Sequence, residues 1–205
     1  MKLTVALDIR HPFAYLALGP TIELRRETGV EIDWLPVRTQ PLRTPSVPAP
    51  DDDRGVRHKR HRAEMIAREI AVYADAQGLR IESPYRDGPT AALHSAWLWI
   101  RVHAPDVLET FLERAFARYW ALDLDPHSLD EVVTLAGGCG LDEGAIRAWT
   151  AGKGKDADDR IAAELAEAGV FQTPAYLLGD EVFYGRQHLP MIRWLLEGRR
   201  GPAPI

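Results

Sequence analysis

The feature that most constrains the fold is a strand, a helix and a second strand within about the first 35 residues. Leu3–Leu7 is an apolar run of strand length, and Phe13–Thr28 repeats its apolar residues at helical spacing before Gly29. Val30–Trp34 alternates apolar with acidic residues, which is typical of a strand with one solvated face. Two strands joined by one helix pair in parallel through a right-handed crossover. The start of the chain therefore predicts an α/β sheet.

The middle of the chain predicts a block of helices. Repeated prolines between Pro36 and Asp53 exclude regular structure from a long loop. From about Val56 to Gly169 the apolar residues recur at helical spacing, and turn residues divide this segment into several helices. The helical block separates the first two strands from the rest of the predicted sheet.

Strand patterns return at the C-terminal end. Ala175–Leu178 and Val182–Tyr184 are short apolar runs on either side of Gly179-Asp180, a pair that favours a two-residue hairpin turn. His188–Glu197 then has the pattern of a closing amphipathic helix. The whole order predicts an α/β fold with a large all-helical insertion between an N-terminal βαβ unit and a C-terminal ββα unit.

Composition and charge limit the partners of the chain. The formal net charge of -5 disfavours nucleic acid, and no apolar run approaches the ~20 residues that a membrane span needs, so we expect neither partner. The N-terminus lacks the length and cleavage site of a secretory signal, which predicts a cytoplasmic protein. Cys139 is the single cysteine and can form neither an internal disulfide nor a redox pair.

Two segments resemble a known family. DIRHPFAYLALGP precedes the helical block and AGVFQTPAYLLGDEVFYGRQHL follows it. With this order of elements, the chain resembles the DsbA-like thioredoxin superfamily, and within it the branch of 2-hydroxychromene-2-carboxylate isomerase and kappa-class glutathione transferase. The resemblance implies a thioredoxin-like fold with a four-stranded mixed sheet, formed by residues 1–55 and 170–205, and a helical insertion domain at 56–169. It also implies a homodimer and glutathione as cofactor.

The C-terminal motif indicates where glutathione would bind. Thr173-Pro174 stands where the branch has a cis-proline, and the residue before that proline offers its backbone to the cysteinyl part of glutathione. The resemblance implies cofactor contacts for Gln172, Thr173 and Pro174, and for Arg186 and Gln187 after the hairpin. The branch has an acidic residue at the position of Gln187, which can form hydrogen bonds but cannot pair with an ammonium group. Arg186 favours a carboxylate or phosphate partner.

The first helix begins with His11-Pro12-Phe13-Ala14, and this is the most unusual motif of the chain. Redox relatives have Cys-x-x-Cys here and the isomerase branch has Ser-Pro-Tyr-Ser or Ser-Pro-Tyr-Ala, so thiol–disulfide exchange by the usual route is excluded. His11 can serve as an acid–base group or stabilise a glutathione thiolate, since a helix N-terminus favours the neutral imidazole. The alternative is a structural residue that caps the helix or packs under the proline loop. Arg10, Phe13 and Tyr15 are predicted to line the substrate pocket.

The basic run Arg57–Arg62 has two further interpretations. A nucleic-acid site is one, but the acidic chain and the lack of interleaved aromatic residues favour a solvated helix start. The branch carries a lysine near here that approaches the pocket, and Lys59 and Arg62 are both candidates for its position. His58 and His61 have helical spacing, but the sequence identifies no third ligand, so no metal site is predicted.

Two functional hypotheses follow. The first is a glutathione-dependent isomerase or transferase, similar to 2-hydroxychromene-2-carboxylate isomerase, that acts on a small aromatic or apolar acid with His11 as its catalytic residue. The second is a non-catalytic thioredoxin-fold binding or scaffold protein that has lost the ancestral chemistry. The changes at His11 and Gln187 favour the second hypothesis, and the retained Thr173-Pro174 segment favours the first.

Overall fold

The computed structural model describes residues 2–204, which form a four-stranded sheet and a set of surrounding helices. The strands are β1 (Lys2–Leu7), β2 (Glu31–Pro36), β3 (Ala175–Leu178) and β4 (Glu181–Tyr184). The α-helices are α1 (Pro12–Thr28), α2 (Arg54–Ala76), α3 (Ala91–His103), α4 (Pro105–Trp120), α5 (Leu129–Gly137), α6 (Glu143–Trp149), α7 (Lys155–Glu167) and α8 (Leu189–Leu196). A π-helical turn, Thr150–Gly154, joins α6 to α7.

The sheet has the order β2-β1-β3-β4 and is mixed. β1 pairs in parallel with β2, with Val5 opposite Trp34, and antiparallel with β3, with Val5 opposite Tyr176. Gly29 ends α1 with a φ of 68°, and Gly179 turns the β3–β4 hairpin with a φ of 62°. Both turns use the left-handed backbone that glycine adopts without steric cost. The sheet confirms the predicted α/β fold.

The helices α2 to α7 all lie between β2 and β3 in the chain, as the sequence predicts. The proline-rich segment before them is irregular over residues 37–49. α2 begins at Arg54, slightly before the predicted start, because the Asp53 side chain accepts a hydrogen bond of 2.8 Å from the Val56 amide and caps the helix.

One hydrophobic core connects the sheet to the helices. Leu3, Val5 and Tyr176 of the sheet belong to the same buried cluster as Trp97 of α3 and Phe116 of α4. The helical block therefore packs directly against the sheet, and the division into two domains stays a prediction. No helix among the described residues is long and apolar enough to span a membrane.

Candidate active site

Four segments and one helix face surround a cavity of about 780 Å³ at the end of the sheet. The segments are the start of α1 with His11 and Phe13, the loop Thr39–Leu42 after β2, the turn 171–174 before β3 and the stretch 184–187 at the end of β4. Strand order brings them together because β1 is central and its C-terminal end lies beside the end of β2 and the start of β3. The cavity thus collects residues that are up to 176 positions apart, from His11 to Gln187.

His11 occupies the N-cap position of α1 and lines the cavity. Its amide donates to the Asp8 carbonyl at 3.0 Å, and its ring lies 5.6 Å from the Phe13 ring. Nδ1 of His11 is buried and has no hydrogen-bond partner among residues 2–204. Burial lowers the pKa of His11, the Asp8 carboxylate opposes that effect, and Arg10 adds to it. The lowered pKa favours the neutral form of the ring.

The Thr173–Pro174 peptide bond is cis, and both residues line the cavity beside Gln172. The Thr173 hydroxyl donates to the Ala6 carbonyl at 3.3 Å and accepts the Asp8 amide at 3.0 Å. The Pro174 carbonyl accepts the Gly185 amide at 2.9 Å. The side chain of Thr173 is thus engaged with β1, which leaves the backbone of this residue for contact with a ligand.

The residues after β4 place a cation and an amide at the cavity. The Arg186 guanidinium lies 3.6 Å from the centre of the Tyr73 ring, in a cation–π contact with α2. The Gln187 amide nitrogen donates to the Tyr184 carbonyl at 2.8 Å, so part of its hydrogen-bonding capacity is used within the chain.

Helix α2 forms a wall of the cavity that sequence reasoning largely missed. Leu16 of α1 packs against Ile70 and Ala74, and this contact holds α2 over the start of α1. The adjoining face of α2, with residues at helical spacing, points into the cavity and comprises Arg62, Ile66, Glu69 and Tyr73. Of the two candidate basic residues, Arg62 lines the cavity and Lys59 does not. The spacing was visible in the sequence, but the packing partner of that face was not.

Two residues predicted for the substrate pocket lie elsewhere. Arg10 is turned toward Asp8 and Asp87, with N–O distances of 2.8 Å and 2.9 Å, and it donates to the Thr39 carbonyl. Tyr15 is only 7% exposed and stacks on Phe116. Positions 13 and 15 of one helix point in opposite directions because two residues turn the chain by about 200°. Arg10 and Tyr15 therefore do not line this cavity, while Phe13 does.

The histidines of the basic run lie outside the cavity. His61 is exposed, and its Nδ1 lies 3.3 Å from the Glu64 carboxylate. Within the described part of the chain, no group of three His, Cys, Asp or Glu side chains is arranged to hold a metal ion.

The family of this chain follows from its match to a known domain. A model of the DSBA-like thioredoxin domain matches residues 2–197. The chain belongs to the DsbA-like thioredoxin family. The predicted superfamily is thus confirmed. In this chain, the HPFA motif and the cis-proline turn line the same cavity.

Among relatives of this DsbA-like protein is a 2-hydroxychromene-2-carboxylate isomerase from Sphingobium xenophagum, which is 26% identical over 190 residues, 90% of this chain and 92% of the relative. A solved structure of a 2-hydroxychromene-2-carboxylate isomerase matches with a TM-score of 0.74 at 18% identity, over 97% of this chain and 95% of that one. The cytosolic disulfide reductase DsbM of Pseudomonas aeruginosa, solved with GSH, matches with a TM-score of 0.65 at 16% identity, over 97% of this chain and 98% of that one. The two structural matches confirm the thioredoxin-like fold.

Proposed function

We propose that this protein is a glutathione-dependent isomerase or transferase, similar to 2-hydroxychromene-2-carboxylate isomerase, that acts on a small aromatic or apolar acid. One observation carries the proposal: His11 and the Thr173–Pro174 peptide line one cavity with two arginine side chains. The isomerase relative from Sphingobium xenophagum supports the reaction class, and the DsbM structure with GSH supports the cofactor.

The charge of the cavity supports an anionic ligand. The chain has a net charge of -5, yet its cavity is lined by Arg62 and Arg186 against the single carboxylate of Glu69. Glutathione and a substrate acid both carry carboxylates, which arginine binds with two parallel hydrogen bonds. Phe13, Tyr73 and the 68% exposed Phe171 supply an apolar surface for an aromatic body.

The His11 ring lines the cavity and is therefore placed to meet the thiol of a bound glutathione. Bound glutathione would supply a sulfur nucleophile, or a thiolate that polarises the substrate. A neutral His11 ring would accept the thiol proton and return it to the substrate when the product forms. The backbone of Thr173 would orient the cysteinyl part, and the side chains of α2 would cover the site and limit the access of water.

The test is calorimetric titration with reduced glutathione near neutral pH. We expect micromolar to low-millimolar affinity in the wild type, and a loss of about tenfold in His11→Ala, as for removal of a hydrogen bond to a charged group. His127→Ala, which removes an exposed histidine outside the cavity, is the matched control. Ophthalmic acid has a methyl group where glutathione has its thiol. It should bind the wild type and His11→Ala with equal affinity. No binding of glutathione to the wild type would overturn the proposed cofactor.

A non-catalytic binding protein is the second candidate. The observation that favours it is Gln187, whose amide donates to Tyr184 and which replaces the acidic residue expected in the isomerase branch. This candidate predicts glutathione binding without conversion of 2-hydroxychromene-2-carboxylate or of electrophilic transferase substrates. Turnover of either substrate would exclude it.

The proposal includes a cytoplasmic location and a homodimer, as the resemblance to the isomerase branch implies. Light scattering after size-exclusion chromatography measures the mass in solution, for which a dimer is twice the chain mass of 22.9 kDa. A mass equal to one chain would remove the dimer from the proposal.

A further inference from the structure

Asp8 is a completely buried carboxylate at the end of β1, beside the cavity but not in its lining. Its Oδ1 accepts hydrogen bonds of 3.0 Å from the amide and from Nε of Arg10. Its Oδ2 accepts the Arg10 guanidinium at 2.8 Å, the Thr39 amide at 2.7 Å and the Thr39 hydroxyl at 3.0 Å. Both oxygens are thus fully used, which is the condition for burying a charge.

The backbone of Asp8 extends this network to the other two segments. Its amide donates to the Thr173 hydroxyl at 3.0 Å, and its carbonyl accepts the His11 amide at 3.0 Å. One residue therefore contacts the His11 turn, the Thr39 loop and the cis-proline turn. These are three of the four segments that form the cavity, and they come from distant parts of the chain.

A second aspartate, Asp33, forms a similar ion pair away from the cavity, so the two residues can be compared. Asp33 also forms a two-pronged bond with an arginine, with Arg101 Nε at 2.5 Å and its terminal nitrogen at 2.8 Å. That pair connects β2 to α3 and lies outside the cavity. Asp33 thus provides a matched ion pair that stabilises the fold without touching a segment of the site.

We propose that Asp8 is a positioning residue, which holds the His11 turn, the Thr39 loop and the Thr173–Pro174 turn in the geometry that binds the ligand. Its negative charge also acts on the His11 ring from the same turn. The ligand-binding part rests on the proposed function. The positional and electrostatic parts concern the protein without ligand and stand independently of it.

The electrostatic part follows from the charges that face His11. Burial lowers the pKa of His11, Asp8 raises it and Arg10 lowers it. Arg62 and Glu69 of α2 and Arg186 after β4 line the same cavity from the other side. Of the two charged groups that act on His11 from its own turn, Asp8 is the negative one and Arg10 the positive one. Removal of the Asp8 charge should therefore lower the pKa of His11 further.

The first experiment is an NMR titration of the His11 ring, with hydrogen exchange of the Thr39 amide, in the protein without ligand. In Asp8→Asn we expect a lower titration midpoint for His11 and faster exchange at Thr39, since the carboxylate that binds this amide has lost its charge. In Asp33→Asn we expect both to match the wild type. Equal His11 midpoints in the wild type and Asp8→Asn would overturn the electrostatic role.

The second experiment is calorimetry with reduced glutathione on the same variants. We expect Asp8→Asn to lose about tenfold in affinity, because a loosened site no longer presents its groups together, and Asp33→Asn to bind as the wild type does. Equal affinity in all three proteins would overturn the role in binding. Absence of binding in the wild type would instead refute the proposed cofactor and leave the NMR result to decide the positional role.

Thr39 variants keep the proposal testable if Asp8→Asn fails to fold. Thr39→Ala removes only the hydroxyl bond to Asp8, and Thr39→Ser retains it. In Thr39→Ala we expect faster hydrogen exchange of the backbone amides around residue 39 and weaker glutathione binding. Thr39→Ser should restore both to the wild-type values. Identical behaviour of Thr39→Ala and the wild type would contradict the proposal.

Discussion

The guanidinium of Arg186 lies 3.6 Å from the centre of the Tyr73 ring, so that the segment after β4 contacts α2 across the cavity. The two residues are 113 positions apart in the chain. The contact orients a cation on an aromatic face in the wall of the candidate site. Arg186 is therefore held in place before any ligand arrives, which reduces the entropy cost of binding an anion.

Replacement of Arg186 should weaken anion binding. We expect Arg186→Gln to reduce the affinity for glutathione about tenfold, because a charged hydrogen bond contributes about 1.5–3 kcal/mol. The wild-type affinity should fall with added salt more steeply than that of the variant. Calorimetry at two salt concentrations measures both effects. Arg193→Gln in α8, which loses an exposed pair with Glu27, is the control and should bind normally.

His11 should be needed for turnover and not for the fold. We expect His11→Ala to abolish conversion of a 2-hydroxychromene-2-carboxylate substrate and to leave the melting temperature nearly unchanged, since Nδ1 of His11 has no partner among the described residues. Burial lowers the pKa of His11 below its usual 6.5, so activity in the wild type should persist at pH 6.5 and decline only in more acidic solution. Initial rates against pH test this expectation. Retained turnover in His11→Ala would remove the residue from the mechanism.

A buried histidine–aspartate pair should dominate the stability of the contact between α3 and α7. His94 Nδ1 lies 3.0 Å from the Asp158 carboxylate, both side chains are buried, and Arg38 lies 3.1 Å from the other oxygen of Asp158. Loss of one partner leaves the other buried without its hydrogen bond, which costs about 1–3 kcal/mol. We therefore expect Asp158→Ala to lower the free energy of unfolding by about 2 kcal/mol, measured in urea.

The neighbouring residue provides the control for that measurement. Asp159 pairs with Lys155 at 2.6 Å and with Arg38 at 3.3 Å on the exposed side of α7. Asp159→Ala should leave the free energy of unfolding nearly unchanged, because solvent screens exposed pairs. Equal losses in Asp158→Ala and Asp159→Ala would contradict the expected difference between buried and exposed pairs.

One buried carboxylate, Asp8, and one partly buried carboxylate, Asp33, should make the protein sensitive to acid. Burial works to raise the pKa of Asp8, but the bonds to Arg10 and Thr39 outweigh it and hold that pKa below the usual 3.8. For Asp33, burial acts in the same direction and the bonds to Arg101 and Lys2 likewise outweigh it. A lowered pKa contributes stability that is complete above the unfolded value and is lost as the pH falls through the folded value.

Urea unfolding between pH 7 and pH 2 measures this contribution. We expect the free energy of unfolding to fall below about pH 4 in the wild type, near the usual carboxyl pKa. The fall should be shallower in Asp33→Asn, which has lost one of the two groups. A wild-type stability that does not change between pH 4 and pH 2 would contradict the ion-pair assignment.

Dithiol chemistry should be absent. The position of the redox motif holds His11 and Ala14, and Cys139 is the single cysteine of the chain, between α5 and α6. Disulfide exchange needs an attacking thiolate and a resolving partner. Insulin reduction by the wild type and by Cys139→Ser should equal the buffer rate. Activity above buffer in the wild type would overturn this expectation.

Local patterns in the sequence predicted most of the fold. The spacing of apolar residues predicted β1, α1 and β2, and the Gly179-Asp180 pair predicted the β3–β4 hairpin. These features depend on neighbours in the chain, through backbone sterics and periodicity. The sequence also predicted the motif at His11 and the Thr173-Pro174 pair as the two halves of a candidate site, because both resemble motifs of the family.

Membership of the cavity was set by long-range packing. Arg62, Glu69 and Tyr73 line it because the neighbouring face of α2 is held against α1, and Thr39 reaches it through the buried Asp8. Arg10 and Tyr15 stand beside His11 in the chain but point away, toward Asp8 and toward Phe116. Sequence patterns specify which residues can share a face of one helix or strand. The pairing of distant faces depends on the burial of the whole core, which only the folded chain defines.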